Sequence, residues 1–166
     1  MALHQTHKTS SNWWGLALLL SIIACLGACS PKHASYTDFR DISSDGWQEG
    51  APFKFTPMWG DSSATYDFTI VVRHSASYNY NNLCLVIDFI STDGKVVRKD
   101  ISFAIADEYG NFKGGGFGDY YQVKHKVMEG IKPEEAAKIV VWPAMKGCKK
   151  LTGLLNIGII LSPVKK

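Results

Sequence analysis

The strongest constraint on the fold is a period of two in the apolar residues, which continues along most of the chain from Tyr36. A period of two places apolar side chains on one face of a β-strand, whereas one face of a helix needs a period of 3.6. Segments that contain Gly, Asn and Asp separate the alternating runs, as they do between antiparallel strands. The pattern predicts seven strands, at residues 52–56, 66–73, 83–90, 95–105, 120–127, 137–142 and 154–161.

Two local signals refine this architecture. Asp93 and Gly94 form a pair that tolerates positive φ, so they predict a hairpin between the third and fourth strands. Residues 133–138 are compatible with a helix whose first turn contains Pro133, but this stretch is too short to build a helical layer. The sequence therefore predicts an all-β protein, an antiparallel β-sandwich of jelly-roll-like or immunoglobulin-like type.

The N-terminus carries an export signal. Residues 13–26 contain no charged side chain, and Lys8 is the only formally charged side chain before them. The run is shorter than the roughly 20 apolar residues that span a bilayer, and it ends in Leu26-Gly27-Ala28-Cys29, which matches a lipobox. We expect cleavage between Ala28 and Cys29, and attachment of diacylglycerol and further acyl chains such as palmitate to Cys29. The alternative is an ordinary signal peptide that leaves Cys29 as a free thiol or disulfide partner.

This processing defines the expected organisation of the chain and its charge. The predicted parts are a signal peptide at 1–28, a lipidated tether at 29–35 and a single domain at 36–166. The signal contains one of the 18 Lys and Arg residues and none of the 15 Asp and Glu residues, so the mature net charge is 17 − 15 = +2. Such a small excess does not indicate a nucleic-acid partner. Cys84 and Cys148 could form a disulfide or remain two partly buried thiols.

The sequence contains few motifs that would indicate catalysis, phosphate binding or metal binding. The glycine-rich residues 110–118 lack the Gly-Lys-Ser/Thr ending of a phosphate-binding loop, so they are typical of a loop or bulge beside a strand. No nucleophile elbow and no pair of histidines at metal-ligand spacing is present in the sequence. Asp107, Glu108 and Asp119 do not follow the spacing of an EF-hand. We therefore expect no catalysis, no cofactor, no metal and no small-molecule substrate.

Aromatic residues and one arginine are the remaining candidates for function. Six aromatic residues fall at strand ends or in turns, where they either cap the core or form a platform for sugars or a protein partner: Trp47, Trp59, Tyr78, Tyr80, Tyr120 and Tyr121. Arg73 is out of phase with the apolar residues of its strand, so its guanidinium should leave the core. We expect it to reach the turn that follows its strand, or to contact a partner.

The order of several short motifs resembles a known family, the gliding-motility lipoprotein H (GldH) family of Bacteroidetes. Each motif is weak alone, but together they extend over the whole mature chain. In order after the lipobox they are Tyr36, Gly46-Trp47, Tyr66, Val72-Arg73-His74, Tyr78-Asn79-Tyr80-Asn81-Asn82-Leu83, Asp100 with Phe103, the segment 110–119, Ala144-Met145-Lys146, Leu151-Thr152-Gly153-Leu154 and Asn156-Ile157-Gly158. The sequence departs from the family pattern at Cys84, Phe112 and Lys146, where a bulky residue, a tryptophan and an arginine are usual.

Ser30 is not the aspartate associated with inner-membrane retention, and residues 30–33 contain no acidic run of the kind that directs lipoproteins to the cell surface, so we expect an outer-membrane lipoprotein whose domain faces the periplasm. The resemblance implies a non-catalytic lipoprotein of the outer membrane that is an accessory or scaffold component of gliding machinery linked to type IX secretion. Its partners would be the membrane, through acylated Cys29, and other envelope proteins of a motility or secretion complex. It also implies a set of residues that serve architecture or partner contacts: Arg73, Tyr78, Tyr80, Asn82, Gly116, Asp119 and Met145. The alternative is an outer-membrane lipoprotein that binds glycans through exposed aromatic residues.

Overall fold

A computed structural model describes residues 35–164 of the chain, apart from the side chain of Phe117. The predicted signal peptide, the cleavage site at Ala28 and Cys29, and all of the tether except Ser35 lie outside the described residues. Among the described residues, no helix is long and apolar enough to cross a membrane.

The described residues form three antiparallel sheets. The five-stranded sheet contains, in spatial order, β1 (Tyr36–Asp41), β11 (Leu154–Pro163), β4 (Tyr66–Ser75), β8 (Tyr120–Ile131) and β7 (Gly115–Phe117). The four-stranded sheet contains β3 (Phe53–Phe55), β9 (Lys138–Pro143), β5 (Asn82–Ile90) and β6 (Val96–Ala104). A small third sheet pairs β10 (Lys150–Leu151) with β2 (Trp47–Gln48). The all-β, antiparallel prediction is therefore confirmed.

The strand order defines a jelly roll. Without the two-stranded sheet and the short β7, eight strands remain, and in chain order the first, eighth, third and sixth form one sheet. The second, seventh, fourth and fifth form the other sheet. This interleaving of two Greek keys distinguishes the jelly roll from an immunoglobulin-like sandwich.

The inner faces of the two large sheets form one core. Phe68 of β4 meets Phe89 of β5 edge to face, with ring centroids 5.0 Å apart, and both side chains are buried. Ile70 and Ile87 are also fully buried. Burying one such side chain stabilises the fold by about 1.5–3 kcal/mol relative to exposure, so the alternating residues supply the main driving force for this sandwich.

All seven predicted strands are present, with ends that differ from the prediction by up to four residues. The Asp93-Gly94 hairpin is also confirmed, since β5 pairs with β6 across that turn. The helix-compatible stretch forms only one turn of 3-10 helix, at Pro133–Glu135. The expectation that residues 110–118 form a loop or bulge was wrong for Gly115–Phe117, which pairs with β8 as an edge strand.

Candidate functional site

Arg73 lies on the outer face of the five-stranded sheet, near the middle of that sheet. The register places it between Asn156 on β11 and Gln122 on β8. Two positions earlier on the same face, Val71 lies between Gly158 of β11 and Lys124 of β8. The expectation that the Arg73 guanidinium leaves the core is therefore correct.

The contacts of Arg73 differ from the expected contact with the following turn. Its Nε donates a hydrogen bond of 2.9 Å to Oε1 of Gln122, and its Cζ lies 4.2 Å from the ring centroid of Phe39 on β1. Phe39 in turn packs on Gly158, where an added Cβ would lie only 2.4 Å from Phe39 Cδ1. The predicted contact with the turn was wrong, because neighbouring strands provide an acceptor and an aromatic face for the guanidinium.

An open groove of about 610 Å³ lies beside Arg73 and crosses the sheet from Asn156 to Gly116. Tyr120, 60% exposed, lines the groove. The predicted site residue Gly116 also lines it, and there an added Cβ would meet Tyr121 Cδ1 at 3.0 Å. Gly116 therefore permits close approach of β7 to the Tyr121 ring on β8.

Asp119 has a structural contact through its backbone. It lies in the two-residue turn between β7 and β8, and its carbonyl oxygen accepts a hydrogen bond of 3.1 Å from the backbone N–H of Ala76. Its exposed side chain makes no hydrogen bond to the described residues. The contact therefore joins the β7–β8 hairpin to the loop after β4.

A second group of predicted residues meets at the start of β5. The buried Tyr78 donates a hydrogen bond of 2.9 Å from its hydroxyl to the backbone oxygen of Asn82, and burial raises the pKa of Tyr78. Tyr80 is partly exposed and packs against Tyr78, with ring centroids 5.6 Å apart. Met145 accepts a hydrogen bond at Sδ from the backbone N–H of Cys84, at 3.3 Å. These contacts give Tyr78, Asn82 and Met145 architectural roles.

Both cysteines of the described domain are free and half-buried. Cys84 contacts Ser102 through its thiol, at 3.4 Å. Cys148 accepts a hydrogen bond from the Tyr80 hydroxyl at 3.4 Å and donates one to the Lys150 oxygen at 3.1 Å. Each thiol therefore contacts its own polar neighbours, and the two cysteines do not form a disulfide.

His74, which the sequence analysis named only as part of a family motif, is a buried residue. Its ring is fully buried among Phe112, Tyr121 and Tyr78, with centroid distances of 4.8, 5.4 and 5.8 Å. Nδ1 donates a hydrogen bond of 3.1 Å to the Ser75 oxygen, whereas the buried Nε2 has no partner among the described residues. Burial lowers the pKa of His74, although the hydrogen bond to Ser75 opposes this effect.

The outer face of the four-stranded sheet holds a second feature that sequence reasoning missed. Asp88 is only 7% exposed and accepts hydrogen bonds from Arg98 Nε and Nη2 at 2.6 and 2.8 Å, and from Trp142 Nε1 at 3.1 Å. The hydrogen bonds from Arg98 hold the pKa of Asp88 below its usual range. The bidentate bond from Arg98 joins β6 to β5, and the bond from Trp142 joins β9 to β5.

The six aromatic candidates do not form one platform. Trp47 and Tyr78 are buried in the core, and Trp59 packs against it beside Tyr66. Tyr80 and Tyr120 are the exposed members of the set. Within residues 35–164, no group of three or more His, Cys, Asp or Glu side chains is arranged to hold a metal ion.

Fold and site define a class of protein, a jelly-roll domain with a preorganised arginine on an open sheet face. Among known protein families, the model of the GldH lipoprotein family matches residues 34–161 of this chain. The chain belongs to the GldH lipoprotein family, a family of lipoproteins implicated in gliding motility. The predicted family is thereby confirmed.

Two similar proteins have names that agree with this assignment. The gliding motility lipoprotein GldH homolog of Christiangramia forsetii is 26% identical over 85% of this chain and 90% of its own length. The gliding motility lipoprotein GldH of Flavobacterium johnsoniae is 24% identical over 87% of this chain and 92% of its own. Neither protein has the name of an enzyme.

Among experimental structures, the coat protein dimer of Tobacco streak virus is similar to this chain with a TM-score of 0.37. The two are 10% identical, and the match covers 83% of this chain and 90% of the coat protein. A likeness at this level carries no argument about function.

Proposed function

We propose that the protein is a non-catalytic accessory component of gliding machinery linked to type IX secretion, which acts by binding other envelope proteins. The family match carries this proposal, because residues 34–161 include nearly all of the described jelly roll. The region that the family shares is therefore this one domain.

The proposal includes a lipid anchor. Cleavage removes residues 1–28, Cys29 is acylated, and residues 29–35 tether the domain at 36–166 to the outer membrane on its periplasmic side. The lipobox and the family name support this anchor. Ser30, which follows the acylated cysteine, is not the aspartate associated with inner-membrane retention, and this supports the outer membrane. Residues 30–33 contain no acidic run of the kind that directs lipoproteins to the cell surface, and this supports the periplasmic side.

The packing of the aromatic residues favours a protein partner over a glycan. A sugar platform needs several exposed rings on one face, but Trp47 and Tyr78 are buried in the core. The open groove instead combines an arginine with a tyrosine, and both residue types are enriched at the centre of protein interfaces.

The anchor and its orientation can be tested in the native host. We expect the parent protein to fractionate with the outer membrane and to resist protease added to intact cells. Cys29→Ala should remain uncleaved or become soluble, because the thiol that receives the lipid is absent. Processing and membrane fractionation of Cys29→Ala like the parent, or rapid loss of the parent to external protease, would contradict the proposal.

A further inference from the structure

Two cations on the outer face of the five-stranded sheet have no carboxylate partner in the part of the chain that the structure describes. Lys126 on this face pairs with Asp67 and Glu129, each at 2.9 Å. Arg73 and Lys124, in contrast, have no carboxylate oxygen within 4 Å among residues 35–164. The face therefore has positive charge available at Arg73 and, two residues after Gln122 on β8, at Lys124.

The Arg73 guanidinium is held in position before any ligand arrives. Gln122 accepts from Nε, and the Phe39 ring covers one face of the guanidinium group. The two terminal nitrogens donate no hydrogen bond to the described residues, so their donors remain available on a group whose position is already determined. A preorganised fork loses less side-chain entropy when it binds a carboxylate.

The groove beside Arg73 leads to an open sheet edge. Gly115, opposite Gln122 on β7, has no side chain to obstruct the groove, and Tyr120 forms an aromatic wall. β7 is the last strand of its sheet, so its outer backbone groups have no strand partner among the described residues. Arg73 and β7 are two strand spacings apart, roughly 10 Å, which about three residues of extended chain can span.

We propose that this groove binds an extended acidic segment of a partner protein. One carboxylate of the segment pairs with the terminal nitrogens of Arg73, the segment passes Tyr120, and its backbone meets the open edge of β7. This inference rests on the proposed function, because it names the chemistry of the partner. A neutral glycan has no carboxylate to pair with Arg73. An acidic glycan has no peptide backbone to form strand-like hydrogen bonds with the edge of β7.

The test uses the lipidated protein in detergent and three labelled probes at low ionic strength, with fluorescence anisotropy as the readout. The probes are the peptide (Glu-Gly)4, its uncharged counterpart (Gln-Gly)4, and hexagalacturonate as an acidic glycan. We expect (Glu-Gly)4 to bind at least fivefold more tightly than either other probe. Arg73→Gln should abolish this preference, whereas Arg73→Lys should keep part of it.

Two further variants separate binding from folding. Gln122→Glu introduces a carboxylate beside Arg73 that competes with the peptide, so we expect loss of binding with an unchanged melting temperature. Lys54→Gln removes an exposed cation from the four-stranded sheet and serves as the matched control, with unchanged binding.

Equal binding of the two peptides, a preference that survives Arg73→Gln, or tighter binding of hexagalacturonate would each overturn the inference. Such a failure would leave the proposed function standing, because anchoring at Cys29 and association with envelope proteins are measured separately in cells.

Discussion

Acidification is expected to destabilise the domain through His74. Its Nδ1 donates to a backbone oxygen, so the neutral ring has its unpartnered lone pair at Nε2. Protonation would place a charged N–H inside the pocket formed by Phe112, Tyr121 and Tyr78. No charged side chain makes a hydrogen bond to the ring among the described residues, so the folded protein resists protonation at this position.

The sign and size of the effect follow from linkage. Burial lowers the pKa of His74 in the folded protein, whereas in the unfolded chain the ring binds a proton below a pH of about 6.5. Acid therefore favours the unfolded chain, and stability falls as the pH drops below that value. If the folded ring stays neutral, the loss between pH 7.5 and 5.5 is up to about 1.4 kcal/mol, or about 5 °C in melting temperature for a domain of this size.

Urea unfolding of the parent and His74→Phe at both pH values measures this loss. The variant keeps an aromatic ring but cannot titrate, so we expect it to lose less stability than the parent on acidification, by up to about 1.4 kcal/mol. Tyr121→Phe is the matched control, since it keeps both His74 and the stacked ring and should retain the acid response. Equal losses in the parent and His74→Phe would show that His74 does not cause the acid response.

Three other substitutions test the packing. Arg98→Ala removes two hydrogen bonds from the buried Asp88 carboxylate, so the urea midpoint at pH 7 should fall. The further loss of stability below pH 4 should shrink, because the hydrogen bonds from Arg98 are the largest cause of the lowered pKa of Asp88. An unchanged midpoint would contradict this role. Gly158→Ala should cost about 1–3 kcal/mol in urea unfolding, since its Cβ displaces the Phe39 ring. Tyr78→Phe should cost about 0.5–1.5 kcal/mol through its lost backbone hydrogen bond, and full stability would show that this bond is not needed.

Alternation predicted strands β4, β5 and β11 because each has one face on a shared core. Tyr66, Phe68, Ile70 and Val72 alternate along β4, and all four are buried. His74 continues the same alternation, so its inward position could have been found from the sequence. Its unpartnered nitrogen could not, because that depends on rings from Phe112 and Tyr121, far along the chain.

The two outer faces show where local patterns are insufficient. Asp88 occupies an outward position in an alternating strand, but Arg98 and Trp142 cover it from neighbouring strands, and that contact depends on sheet register. The outward direction of Arg73 was predictable from its phase, whereas its contact with Phe39 needs β1 to pair with β11. The short strand Gly115–Phe117 has no alternation because two of its three residues are glycine.

We propose that the anchored domain acts by binding envelope proteins. The most direct measurement is cross-linking of the tagged protein in its native host, followed by mass spectrometry of the captured proteins. We expect the parent to capture envelope components of a motility or secretion complex reproducibly, and Cys29→Ala to lose that capture. Failure of the parent to capture any such component, under conditions where a known envelope complex is captured, would contradict this function.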